Sequence, residues 1–194
     1  MRILAGEHKG RKLLSPPAGP GIRQITGMVK KSLFDIISAR LAGATVLDLY
    51  CGTGTLGLEA LSRGASACVF AERDRRVVSR LRRNIEALGA AERCLVWCGD
   101  IPARLTGWLD AWPGRADLAF VDPPYAQARA WSWPAVAESL FAPLSGSLRT
   151  GGLVAVRLPG KVQPPQHLAG LEMHRMRAYG GMAVALYAGR KESE

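Results

Sequence analysis

From Ala44 onward, short apolar runs alternate with amphipathic stretches, and this alternation is what most limits the folds open to the chain. Residues 45–50, 67–71, 94–98, 116–121 and 151–158 are too short for stable helices and rich in β-branched or large apolar side chains. They predict five buried strands. Helices are expected between them: one over 58–63, one over about 74–88 that turns Val77, Val78, Leu81, Ile85 and Leu88 to one face, and an irregular one over 102–112. Trp131, Trp133, Val136, Leu140 and Phe141 read as the buried side of a further helix. Residues 171–178 and 182–188 flank Tyr179-Gly180-Gly181 and predict a hairpin. Repeated strand–helix units imply an α/β, doubly wound, mostly parallel sheet of seven strands covered by helices on both faces. The closing hairpin adds an antiparallel C-terminal strand.

Upstream, Arg2-Ile3-Leu4-Ala5-Gly6 and Lys12-Leu13-Leu14 are predicted to pair as short strands around a turn at 7–10, with His8 a polar turn residue. The Pro- and Gly-rich segment 15–21 forbids regular structure and reads as a linker. The expected division is a basic β extension over 1–24 and one main domain over 25–194. Met28, Val29, Ser32, Leu33, Ile36 and Ile37 recur at helical spacing behind Thr26, a capping residue, and predict a first helix lying against the core.

The net charge is +10, from 26 Lys and Arg against 16 Asp and Glu, which favours a polyanionic partner. The excess concentrates in the first forty residues, making Arg2, Lys9, Arg11, Lys12 and Arg23 candidate phosphate contacts. The arginines of 74–88 read instead as a solvated helix face. Cys51, Cys68, Cys94 and Cys98 lack the paired spacing of a zinc site and read as reduced and structural, with no metal expected. No apolar run approaches the ~18 residues of a membrane span, so a cytoplasmic protein without membrane contact is expected.

Two motifs carry the chemistry. Asp122-Pro123-Pro124-Tyr125 follows the fourth strand: a carboxylate, a carbonyl in a turn that proline keeps out of a helix, and an aromatic ring. Asp122 and the Pro123 carbonyl can each accept one N–H of an exocyclic amine while Tyr125 stacks on the ring that bears it. The loop after the first strand, Gly52-x-Gly54-x-x-Gly57, has the spacing of a dinucleotide fingerprint, and Glu72 lies where a carboxylate holds ribose hydroxyls. The same glycines suit the amino-acid end of S-adenosylmethionine. Asp48, inside the first strand, is placed to support the loop or receive that ligand's ammonium, and Asp100 to accept an adenine amine. The amine clamp favours a methyl donor over a nicotinamide.

Taken in order, Arg2-Ile-Leu-Ala-Gly, Gly10-Arg11-Lys12-Leu13, Pro20-Gly21-Ile22-Arg23, Leu33-Phe34, the run from Leu47 to Gly64, Glu72-Arg73-Asp74 and Asp122-Pro-Pro-Tyr125 resemble the bacterial 16S ribosomal RNA guanine-N2 methyltransferases. The resemblance spans nearly the whole chain. It implies a class I S-adenosylmethionine-dependent enzyme, with cofactor contacts at Asp48, Gly52, Gly54, Glu72 and Asp100 and a target-base clamp at Asp122 to Tyr125. It also implies a partner in 16S rRNA, free or within a 30S particle, and a monomer. Where the family has acidic, arginine and acidic residues, this chain has Gly27, Met28 and Lys31. Amino-methyltransferases acting on DNA adenine or cytosine, or on protein glutamine, share the clamp. The altered 25–31 segment also admits an RNA-binding assembly factor without catalysis.

Overall fold

The computed structural model describes residues 1–17 and 25–189. After a hairpin at the N-terminus come α1 (Gly27–Ile36), β1 (Thr45–Leu49), α2 (Gly57–Ser62), β2 (Ala67–Glu72), α3 (Arg75–Ala87), β3 (Cys94–Cys98), α4 (Ile101–Ala111) and β4 (Ala116–Val121). There follow α5 (Tyr125–Arg129), α6 (Trp133–Val136), α7 (Ala142–Ser147), β5 (Leu148–Pro159), β6 (His167–Leu168), β7 (Leu171–Tyr179) and β8 (Met182–Gly189). The strands form one sheet in the order β3-β2-β1-β4-β5-β8-β7-β6. β1 to β5 pair in parallel, and β8 enters antiparallel between β5 and β7. The doubly wound sheet with its antiparallel C-terminal strand is thus present. An eighth strand, β6, has only two residues at the edge and pairs antiparallel with β7.

Alternate strand residues feed two cores. Val46, Phe70, Leu118 and Phe120 pack with α1, α2 and α3, whereas Leu47, Val69, Ala119 and Val121 pack with α4, Ala128 and α7. Both faces are covered over β1, β2, β4 and β5, which are therefore mainly apolar rather than alternating, whereas β3 and β7 are largely exposed or half-buried.

The N-terminal hairpin belongs to the first of these cores through Ile3 and Leu13. In place of the expected short strands, its two arms meet at a single isolated Arg2–Lys12 bridge, and His8 sits in the turn with its backbone N–H donating to Ser62 Oγ at 3.0 Å. The boundary expected at residue 24 lies outside the described residues, as does Arg23.

α1 starts where Thr26 caps it, its hydroxyl accepting from the Val29 N–H at 3.4 Å. The helix faces the core with Val29, Lys30, Leu33 and Phe34, and Met28, expected inward, is 71% exposed. Lys30, only 3% exposed, takes the inward place because Glu59, fully buried on α2, neutralises it at 2.8 Å. The Glu59 carboxylate also accepts from Arg63 Nε at 2.8 Å and from the backbone N–H groups of Leu4 and Ala5 at 2.8 and 3.0 Å. One carboxylate thereby ties the hairpin, α1 and α2 together.

The helix expected around Trp131–Phe141 is broken into α6, a π-turn over Ala137–Phe141, and α7. Pro143, which has no N–H, cannot continue an i→i−4 ladder, and the helix widens just before it. Trp131 packs edge-on against Trp133 and Phe141, as core rather than base-stacking residues.

Candidate active site

β1 lies between β2 and β4, so successive strands run outward in opposite directions from it, and the loops at these C-terminal ends splay apart. Open α/β sheets bind ligands at such a switch. Here the register is explicit: Leu49 pairs with Val121, and the Asp122 N–H donates to the Leu49 carbonyl at 3.2 Å. The glycine loop and the Asp-Pro-Pro-Tyr corner therefore emerge side by side. They open on one cavity of about 260 Å³, lined among others by Tyr50, Gly52, Thr53, Thr55, Glu72, Asp122, Pro123, Pro124, Tyr125 and Arg157.

The loop is shaped by three left-handed residues in quick succession, Tyr50 at φ 60°, Gly52 at φ 56° and Gly54 at φ 85°. For tyrosine that conformation costs about 1 kcal/mol or more, and it directs a bulky residue to the cavity wall. There its hydroxyl accepts from Gln127 Nε2 at 3.2 Å, and burial raises its pKa to about 12, keeping the phenol neutral. A Cβ on Gly52 would meet nothing within 4 Å, so the absent side chain leaves open space. A Cβ on Gly57 would sit 2.4 Å from the Phe70 ring, so this glycine instead brings α2 tight against β2.

The five expected cofactor residues divide by position. Gly52 and Glu72 line the cavity. Glu72 accepts from the Gly52 N–H at 3.1 Å and from the Arg73 and Asp74 N–H groups at 2.8 and 2.9 Å, joining the ends of β1 and β2. Asp48 stands behind the wall, 1% exposed, its carboxylate accepting from the Gly57 N–H at 2.8 Å. Of the two roles open to it in sequence, this contact is loop support. Burial foremost, with the nearby Asp122 and Glu72 charges, raises its pKa to about 8. Gly54 packs against Leu58 and Leu81, also behind the wall. Asp100 is exposed at the N-terminus of α4, makes no capping bond, and is not among the cavity's lining residues.

The four clamp residues are brought together at the other end. Asp122 Oδ1 accepts from Arg157 Nε at 2.5 Å, and the same guanidinium lies over the Tyr125 ring at 5.4 Å. Burial pushes the Asp122 carboxyl above its ordinary range, and Arg157 opposes that shift by charge and hydrogen bond. Arg157 does not stand out in the sequence because it reads as one residue inside the strand run Val154-Ala-Val-Arg-Leu158. Tyr50, Lys30 and Glu59 are hidden for similar reasons.

Among the expected RNA contacts, Arg2, Lys9, Arg11 and Lys12 are all exposed on the hairpin. Arg11 also has a structural duty: its guanidinium donates to the Ala87 carbonyl at 2.7 Å, at the end of α3. Gly27, Met28 and Lys31 fall on the exposed side of α1, and Lys31 pairs with Asp35 at 2.7 Å. Among the described residues, no cluster of three His, Cys, Asp or Glu could hold a metal ion, and no helix is long and apolar enough to cross a membrane.

Known proteins are similar to this chain over most or all of its length. YlbH of Bacillus subtilis, named as a candidate rRNA methyltransferase, is 30% identical over 98% of this chain and 100% of its own. The Escherichia coli ribosomal RNA small subunit methyltransferase D is 30% identical over 100% of this chain and 92% of its own. The solved structure of Escherichia coli yhhF, titled a candidate methyltransferase, superposes with a TM-score of 0.77 at 30% identity, covering 99% of each chain. A family model, described as Conserved hypothetical protein 95, matches residues 1–188. The chain belongs to that family and groups with the ribosomal RNA small subunit methyltransferase D proteins.

Proposed function

We propose that the chain is an S-adenosylmethionine-dependent methyltransferase acting on the exocyclic N2 amine of a guanine in small-subunit ribosomal RNA. The observation that carries this reading is that the glycine loop and the amine clamp open on a single cavity. Names of full-length relatives support the ribosomal substrate. On this reading the enzyme works in the cytoplasm, as a monomer, on 30S particles or their assembly intermediates.

The residues at the loop end suit the cofactor. The open space over Gly52 admits a ligand against the backbone, and Glu72 offers a carboxylate at the adjacent strand end. Asp48 and Gly54 would hold the loop in shape from behind, and Asp100 would close over the far side only if its exposed side chain turns inward. Bound there, S-adenosylmethionine supplies a methyl group activated by sulfonium charge.

The chain's task is then placement. A guanine amine is a poor nucleophile because its lone pair is delocalised into the ring. Asp122, through the oxygen that Arg157 leaves to the cavity, and the Pro123 carbonyl accept its two N–H groups and favour a tetrahedral nitrogen. Both acceptors oppose the positive charge that develops there. The methylated amine is strongly acidic, and its proton passes to Asp122 or to water, so no histidine is needed. Extrusion of the base costs a few kcal/mol, offset by phosphate contacts of the hairpin.

Incubating the protein with labelled cofactor and 30S subunits from a strain lacking the modification should place one methyl group on a guanine N2. Asp122→Ala should abolish transfer while cofactor affinity stays within a few-fold. Labelling of DNA or of a protein glutamine in its place would reject the ribosomal assignment, and undiminished turnover of the variant would reject the clamp.

A further inference from the structure

α3 carries Arg75, Arg76, Arg80, Arg82 and Arg83 against a single acid, Glu86. Two of the five have partners: Arg80 donates to the Ser15 carbonyl at 2.7 Å and Arg76 pairs with Asp74 at 3.3 Å. Arg75, Arg82 and Arg83 are exposed, and among the described residues none of them has an ion-pair or hydrogen-bond partner. These three converge on one groove of about 550 Å³, where Val78 and Cys98 join them and Glu86 is the one carboxylate.

A solvated face accounts for exposure, but it does not account for this arrangement. Arg76 with Arg80 and Arg80 with Arg83 are like charges four and three positions apart, a spacing that destabilises a helix, and Glu86, four and three positions after Arg82 and Arg83, pairs with neither of them among the described residues. Here one sign is gathered into a concavity, where low-dielectric walls focus its potential. The concavity also adjoins the site: Arg73, Asp74 and Val77 line the cavity, and Arg75, the next residue along, lines the groove. The guanidinium fork matches phosphate oxygens in pairs.

We propose that this groove takes the phosphodiester backbone of the RNA strand adjoining the target base. The nucleic-acid footprint then runs from the hairpin, past the cavity mouth, onto α3. The inference rests on the reading of the chain as an RNA methyltransferase.

The test compares the wild-type protein with an Arg75→Gln, Arg82→Gln, Arg83→Gln triple variant. Binding of a fluorescein-labelled small-subunit rRNA stem-loop is titrated across salt concentrations, alongside cofactor affinity and methyl transfer. Removing one arginine–phosphate pair should flatten the log–log salt slope by about 0.7–0.9, so the triple variant should be shallower by about 2–3 and bind about tenfold more weakly. Its cofactor affinity should be unchanged, and the corresponding triple Lys variant should recover the slope. Arg82→Gln alone, expected to remove about one such pair, serves if the triple variant is unstable. A wild-type slope in a folded variant that still methylates RNA overturns the groove alone, as does failure of lysine to recover the slope. A wild-type protein that methylates no RNA overturns the functional reading and the groove with it.

Discussion

Arg157 reaches Asp122 because of strand register: Val121 pairs with Val156, so the residues that follow, one just past β4 and one within β5, stand side by side. The 2.5 Å contact fixes one carboxylate oxygen, and on the proposed function the other is the one that meets the amine. Arg157→Gln should therefore lower kcat on the order of 10²-fold through misplacement while cofactor binding holds. Because Arg157 holds the Asp122 pKa down against burial, the acid limb of the rate profile should move to higher pH in this variant. An unmoved limb would make the contact merely structural. Asp48 offers a second test. Its pKa rises from 3.8 unfolded to about 8 folded, so the folded state binds that proton more tightly. The resulting stability is full below the unfolded value and lost as pH rises through the folded one. Asp48→Asn, which can still accept from Gly57, should gain melting temperature relative to wild type between about pH 5.5 and about pH 8.5 in cofactor-free protein. Parallel curves for the two proteins would contradict the buried, proton-holding carboxyl.

At the scale of elements, the Glu59 knot decides whether the hairpin stays docked. Glu59→Ala would leave Lys30 buried without its partner and Leu4 and Ala5 without acceptors, at a cost of about 3–5 kcal/mol. Hydrogen exchange should quicken first at those two amides. Protection equal to wild type would show the hairpin held by Ile3 and Leu13 alone. Gly57→Ala, with its Cβ 2.4 Å from Phe70, should cost about 1–3 kcal/mol by pushing α2 off the sheet. Which elements could be read in the sequence follows from the same physics. The central strands were legible because burial on both faces makes β2, β4 and the end of β5 nearly continuous apolar runs, and β7 and β8 because a Tyr-Gly-Gly turn divides them. The face of α1 was not: Met28 fits an apolar period as well as any residue, and what turns Lys30 inward is a carboxylate 29 positions later. The break before α7 had a visible cause, Pro143, that apolar spacing alone concealed. Of the site, the glycines and the clamp were legible as local motifs. Arg157 was not, since its role depends on a partner 35 positions away across two strands.

Over the whole molecule, exposed cations gather on two neighbouring elements. The hairpin exposes Arg2, Lys9, Arg11 and Lys12 and α3 exposes Arg75, Arg82 and Arg83, and the two elements are stitched together by Arg11 to Ala87, Arg80 to Ser15 and the Leu14 N–H to Asn84 Oδ1 at 2.8 Å. Lys30 extends this stitching inward. Its ammonium donates to the Arg2 carbonyl at 2.8 Å and touches Thr55 Oγ1 at 3.5 Å, so a single side chain spans from the backbone of the basic arm to the wall of the cavity. On the proposed function, a nucleic acid held by the arm and a donor held in the cavity would meet opposite ends of this strut and bias the same side chain. Whatever factor the nucleic acid adds to donor affinity, the donor must return to the nucleic acid, and that shared factor should reach about fivefold and fall toward one in Lys30→Met when calorimetry closes the cycle.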